Sequence, residues 1–207
     1  MTTPTAPSIT QPDNAGIGAQ KAALRAEMLA RRAAIAPALR EAAVAGLATH
    51  ADGLGDVADV VVAGFSPIRG EIDPFPLMET LHRRGARVAL PALDGERLVF
   101  RRWRPGDRLV PAPFGTAEPA ADAEAVAPTV LLVPLLAFDR AGGRLGYGKA
   151  FYDRAIAALA ENAPVRTVGV AFALQEAAEV PMENHDRRLD LVLTECEAIV
   201  CAAAAAG

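Results

Sequence analysis

The chain has 207 residues, 52% hydrophobic and 22% charged. That is enough to build a core without disulfide or metal support. Its net charge of −4 argues against chain-wide binding to nucleic acid or to an acidic membrane. It lacks the run of about 18 apolar residues that a membrane span needs.

The opening MTTPTAPSITQPDNAGIGAQ has no basic start and no apolar centre. Residues 1–19 are therefore expected to be a disordered polar tail, and residues 20–203 a single α/β domain. From Gln20 to about Ile35 the Ala, Leu, Arg and Glu content favours a helix. On it, Leu24, Met28 and Ile35 suit one apolar stripe, and Lys21 and Arg25 share a face. Pro37 is expected to open a second helix running to about Thr49. DVVVAGF, Asp59–Phe65, predicts a buried strand. PLMETLHRR predicts a helix closed by Gly85, and ARVALP the next strand. Such a strand–helix–strand unit implies parallel pairing. RLVFRRW is a further strand, and Pro105 to Pro128 an irregular connection.

TVLLVPL predicts a strand buried on both faces. After FDRAGGRLGYGKAFYDR, a helix is expected from Lys149 to Glu161 and a strand over RTVGVAF. A polar loop, PMENHDRR, then leads into strands at LDLVL and AIVCA. Alternating strands and helices predict a three-layer α/β fold, a mostly parallel sheet flanked by helices. In such sheets ligands bind beyond the carboxyl ends of the strands. SPIRGEIDP, the Gly-rich loop and PMENHDRR all lie there and are expected to form one site. Cys196 and Cys201 fit no zinc spacing and are expected to be core thiols in a reducing cytosol.

All but two of the 21 basic residues are Arg; the lysines are Lys21 and Lys149. A compact mobile charge suits a phosphate. The run Gly142-Gly143-Arg144-Leu145-Gly146-Tyr147-Gly148-Lys149 lets backbone approach a ligand closely and points N–H groups of a helix start toward it. It is neither a Walker loop nor a dinucleotide motif. Asp153 fits a helix start equally well as a Mg²⁺ ligand. Asp186 is a second acid, with Asp190 the alternative, and His185 reads as a loop histidine. Asp73 is expected to cap the helix after Pro74. Glu71 has no evident structural task, and its carboxylate could accept two hydrogen bonds from an amino-pyrimidine edge.

Several pieces occur in one order: Lys21-Ala-Ala-Leu-Arg25, Gly70-Glu71-Ile72-Asp73-Pro74, Phe114-Gly115 with Glu118-Pro119, and Val133-Pro134 with Phe138-Asp139. Arg144 through Lys149 to Tyr152-Asp153-Arg154 follow, then Asn184-His185-Asp186 with Leu189-Asp190. This ordered set resembles the 5-formyltetrahydrofolate cyclo-ligase (methenyltetrahydrofolate synthetase) family over about residues 20–196. The resemblance implies a fold akin to the ribose-phosphate isomerase and CoA-transferase type. It implies a catalytic domain in the cytoplasm, expected to be monomeric, that turns 5-formyltetrahydrofolate and ATP into 5,10-methenyltetrahydrofolate, ADP and phosphate with Mg²⁺. No nucleic-acid or membrane partner is expected.

By that resemblance Lys21 and Arg25 would contact ATP. Arg144, Leu145, Gly146, Tyr147, Gly148, Lys149, Ala150, Phe151 and Tyr152 would cradle its phosphates, with Arg144 and Lys149 catalytic. Ser66, Glu71 and the stretch Tyr147, Gly148, Lys149, Ala150, Phe151 would border the folate. Asp153 and Asp186 would hold Mg²⁺. The family usually has Gly-Tyr-Tyr-Asp where this chain has Ala150-Phe151-Tyr152-Asp153; Ala150 is expected to sit at the helix start without strain. Two other readings use the same residues: a folate- or nucleotide-binding protein without turnover, and a sugar-phosphate enzyme on a similar fold.

Overall fold

A computed structural model describes residues 14–183 and 186–202. Helix α1 covers Asn14–Ala33 and α2 Pro37–Thr49. Strand β1 is Val61–Ala63, helix α3 Phe75–Arg83, and β2 and β3 are Arg87–Asp94 and Arg97–Arg102. Two short strands, β4 at Leu109–Pro111 and β5 at Ala117–Pro119, form a hairpin. Then come β6 at Val130–Pro134, β7 at Ala137–Phe138, β8 at Arg144–Leu145 and helix α4 at Phe151–Ala160. Strands β9 Arg166–Val170, β10 Leu191–Leu193 and β11 Ala198–Val200 complete the order.

Seven strands form one sheet in the order β11-β10-β9-β6-β1-β2-β3. The five inner strands run parallel, and the edge strands β11 and β3 are antiparallel to their neighbours. The α/β layered architecture is thus the expected one. From β1 the chain steps one way to β2 and later returns on the other side at β6. That reversal opens a crevice at the carboxyl ends of β1 and β6, where an open α/β sheet accommodates a ligand.

The strands alternate their apolar faces. Val62, Val88, Leu132 and Val168 pack with Leu47 of α2 and Leu77 and Leu81 of α3. Val61, Ala63, Leu131 and Val133 face the other way, against Ala155 and Ile156 of α4. A smaller cluster joins Met28 of α1 to Leu136, Ala137, Leu145 and Val180. It seats α1 on the β7–β8 hairpin, so that the basic residues of α1 reach the sheet's ligand edge.

Several boundaries differ from expectation. Helix α1 begins at Asn14, so residues 14–19 are helical rather than part of a tail; the first thirteen residues lie outside the described ones. The strands are shorter than their apolar runs, because those runs continue past the ladders into buried loop residues such as Phe65 and Phe172. Pro105–Pro128 is not wholly irregular, since it carries the β4–β5 hairpin. Cys201 is buried but Cys196 is exposed, at a tight turn where the Thr194 hydroxyl accepts the amides of Cys196 and Glu197. Asn184, His185 and residues 203–207 lie outside the described residues. No described helix is long and apolar enough to cross a membrane.

Candidate active site

A cavity of about 310 Å³ lies at the sheet's ligand edge. Its lining includes Lys21, Arg25, Ser66, Glu71, Arg144, Leu145, Gly146, Tyr147, Gly148, Lys149, Ala150, Phe151, Tyr152, Asp153 and Asp186. Every residue that the family resemblance assigns to the site therefore lines one cavity.

The Gly-rich hairpin is shaped from below by Asp139. Its Oδ1 accepts the amides of Ala141 at 2.9 Å and Gly143 at 2.8 Å, and its Oδ2 accepts that of Val180 at 2.8 Å. A β-carbon on Gly143 would fall 2.3 Å from Asp139 Oδ2, and one on Gly142 would fall 2.5 Å from the Leu189 carbonyl. These two glycines are thus required by the chain's own packing, not by a ligand. Gly146 and Gly148 are the glycines of the run that line the cavity. Leu145 also buries its side chain beside Met28.

The cations and acids of the site are matched. Lys21 is buried, and its Nζ lies 2.5 Å from Glu183 Oε2 and 2.6 Å from Asp186 Oδ2. Burial lowers the lysine pKa, but the hydrogen bonds to Asp186 and Glu183 outweigh it and leave the group above its ordinary value. Arg144 Nη2 lies 2.6 Å from Asp153 Oδ1, with the two side chains 6% and 17% exposed. The Arg187 amide sits 3.4 Å from Asp153 Oδ1, which brings the Asp186 loop against Asp153. Arg25 donates to the Gly146 carbonyl at 2.9 Å. Lys149 is exposed, and its ammonium rests 3.9 Å from the Phe114 ring centroid, a cation–π contact. Phe151 tilts against the same ring at 6.2 Å.

Glu71 stands in a different environment. It accepts the Ile68 amide at 2.9 Å. Burial pushes its carboxyl up to about 7, against the opposing pull of that amide, Arg32, Tyr147 and Arg69. Ser66 Oγ accepts the Ala117 amide at 3.0 Å and ties the β1 loop to β5.

The acids left as alternatives lie in different places. Asp190 accepts the amide and hydroxyl of Thr167 at 2.7 and 2.9 Å and holds β10 to β9. It is a structural residue, and it does not line the cavity. Asp73 accepts the Phe75 amide at 2.9 Å, the expected helix-end role. Asp153 occupies the first turn of α4 while also facing the cavity.

One expectation fails. Ala150 has φ 51° and ψ 21°, the left-handed conformation, so it does not sit at the helix start without strain. The α4 entry turns sharply there, and the backbone takes the path that a glycine follows freely.

The sequence reading assigned no role to Phe114, Glu183 or Arg32. Phe114 stands half exposed on a backbone with φ 63° at the cavity mouth. Glu183 pairs with Lys21 from the polar loop before Asp186. Arg32 donates to the Tyr147 hydroxyl from behind the cavity. It follows Lys21, Arg25 and Met28 at helical spacing, and that stripe was the available signal.

The acids present suit a hard divalent cation. Asp153 and Asp186 offer two carboxylates on adjoining segments, each balanced by a cation of the chain. Mg²⁺ needs little more from a protein when phosphate oxygens and water supply the rest.

Comparison with known proteins agrees. The model of the 5-formyltetrahydrofolate cyclo-ligase family matches residues 17–195. The chain is 35% identical over 190 residues to a 5-formyltetrahydrofolate cyclo-ligase of Mycolicibacterium smegmatis, covering 87% of this chain and 96% of that protein. It is 38% identical over 140 residues to that of Escherichia coli K12, covering 64% and 76%. The NMR structure of Aquifex aeolicus 5,10-methenyltetrahydrofolate synthetase superposes with a TM-score of 0.75 at 28% identity, over 88% of this chain and 93% of the other. With a site built from all its ordered motifs and a family match spanning most of its length, this chain belongs to the 5-formyltetrahydrofolate cyclo-ligase family.

Proposed function

We propose that the chain closes 5-formyltetrahydrofolate to 5,10-methenyltetrahydrofolate with ATP, releasing ADP and phosphate. The observation that carries this reading is the convergence of Lys21, Arg144, Lys149, Asp153 and Asp186 on the same cavity as Glu71.

The N5 formyl group is an amide and a poor electrophile. Its oxygen takes the terminal phosphoryl group of ATP, breaking the bond to ADP and leaving the carbon iminium-like. N10 then attacks that carbon and loses its proton, while the C–O bond breaks and phosphate leaves. Such a transfer asks the protein mainly for alignment and charge stabilisation. Lys149, exposed at the mouth on a long flexible stem, follows the transferred group. Arg144, rigid and buried, meets charge at a fixed point. Lys21 and Arg25 bind the rest of the polyphosphate, with Gly146 and Gly148 leaving room for it and Leu145, Ala150 and Tyr152 lining the cradle.

Asp153 and Asp186 would hold Mg²⁺, which when bound neutralises phosphate charge. Glu71 reads the amino-pyrimidine edge beside Ser66, and Tyr147 and Phe151 border the ring system. Residues 20–203 act as one catalytic domain, working as a monomer in the cytoplasm. Neither nucleic acid nor membrane takes part. The substitutions Ala150 and Phe151 fit turnover: the backbone keeps the path of a glycine, and Phe151 keeps a ring against Phe114.

The test is growth of the methenyl product's near-ultraviolet absorbance with ATP, Mg²⁺ and 5-formyltetrahydrofolate. Turnover needing all three is expected; folded protein that gives no signal would overturn the reading.

A further inference from the structure

Behind the cavity lies a guanidinium that the proposed chemistry does not use. Arg32 is 1% exposed. Its Nη2 donates to the Arg69 carbonyl at 3.0 Å and to the Tyr147 hydroxyl. Its guanidinium sits 5.7 Å from the Tyr147 ring centroid, and Arg69 approaches the same ring at 5.2 Å. Arg32 Nε and Nη1 have no hydrogen-bond partner among the described residues. A charge buried this deeply is retained at a cost of several kcal/mol unless something compensates it. Glu71 is a carboxylate that feels its charge.

We propose that Arg32 is a positioning residue for the folate: acting on Tyr147 and Glu71 from behind, it fixes the polar wall that reads the pterin edge. The proposal rests on the reading of Glu71 given above. The Tyr147 oxygen accepts from Arg32, Tyr147 and Glu71 line the same cavity, and Arg32 and Tyr147 both pull the Glu71 carboxyl down against its burial. An ionised carboxylate accepts two bonds from an amino-pyrimidine, whereas a protonated one surrenders an acceptor. The groups around Glu71 are Arg32 from α1, Arg69 from its own loop, Tyr147 from the Gly-rich loop and Tyr152 from α4. Arg32 is the buried cation of that set, whereas Arg69 is exposed and screened by solvent.

The test compares wild type, Arg32→Met, Arg32→Lys, Glu71→Gln and the double variant R32M/E71Q in the full chain. It measures kcat and KM for each substrate across neutral pH, and thermal stabilisation by 5-formyltetrahydrofolate alone. Arg32→Met is expected to raise the folate KM about tenfold, a change of about 1.4 kcal/mol, with the ATP KM within about twofold. The acid limb of the folate kcat/KM profile is expected to move to higher pH. Arg32→Lys should return that limb part of the way. In the Glu71→Gln background Arg32→Met should add no further folate loss. Equal losses for both substrates, an unmoved limb, or a full loss persisting without Glu71 would overturn the proposal. Should Arg32→Met fail to fold, Arg32→Lys decides by the same ratio of folate to ATP effects. A wild type that neither turns over nor is stabilised by 5-formyltetrahydrofolate defeats the functional reading itself; a wild type that does both, with no folate-selective effect in the variants, defeats only the role of Arg32.

Discussion

Around the Gly-rich hairpin, Lys21 meets Asp186 at 2.6 Å and Arg144 meets Asp153 at 2.6 Å, whereas across the cavity lining Glu71 holds a backbone amide and feels Arg32 and Arg69 through space. The first region stores its charges as close opposite pairs. The second keeps one carboxylate close to its proton, at a pKa of about 7. Each arrangement suits a different ligand. A polyphosphate with its cation can exchange partners with preformed ion pairs at little net change of charge. A neutral pterin edge offers direction rather than charge, so it needs an acceptor fixed in place and ionised.

Substitutions can separate the two regions. The largest effect is expected from Arg144→Ala, which removes the cation proposed to meet the phosphate charge and takes the ion-pair partner from the half-buried Asp153. Turnover should fall by about 100- to 1,000-fold, and thermal melting should show a lower Tm. Lys149→Ala should lose turnover on a similar scale while Tm stays put, because the side chain is exposed. A Tm loss equal in the two variants would break the contrast between the buried cation and the exposed one. Next comes Asp153→Asn, expected to move the Mg²⁺ dependence of turnover to higher concentration by about tenfold, with the folate KM unchanged. An unaltered metal titration would return Asp153 to its helix-end task.

Glu71→Gln should raise the folate KM more than the ATP KM, by about tenfold if one directional contact of about 1.4 kcal/mol is lost. It also has a signature without substrate. The folded chain holds the Glu71 proton more tightly than the unfolded one, with a pKa of about 7 against the ordinary 4.5. That contribution to stability is complete below pH 4.5 and is lost as pH rises through about 7. Glu71→Gln should flatten this part of the Tm–pH curve, and an identical slope would count against the burial of its charge. The smallest effect is expected from Ala150→Gly. A left-handed alanine costs roughly 1–2 kcal/mol, and the extra freedom of an unfolded glycine offsets roughly 0.5–1 kcal/mol of the gain. A Tm rise of a few degrees at most is the expected result, with activity kept or improved.

The parallel order of the sheet was legible because its strands are apolar on both faces, as in TVLLVPL, and alternate with helices. That these residues gather at one cavity was legible from the ordered motifs and the family resemblance they carry. What escaped the sequence depended on contacts between distant segments. Nothing local marks Gly142 and Gly143 as packing glycines rather than ligand-facing ones; only the approach of Asp139 and Leu189 does. The left-handed turn at Ala150 was hidden because alanine is the best helix former, so the sequence extends the helix to Lys149. Arg32 resembled any arginine on a solvated helix face until Tyr147, 115 residues later, packed against it.

The Lys21 contacts span 162 and 165 positions of the chain. Helix α1 therefore closes long loops when it docks, which makes its seating costly in chain entropy. The partners that cover its Met28, namely Leu136, Ala137, Leu145 and Val180, all lie more than 100 residues further along the chain. Loss of the segment around Val180 and Asp186 should thus unseat a helix that lies far from it in sequence.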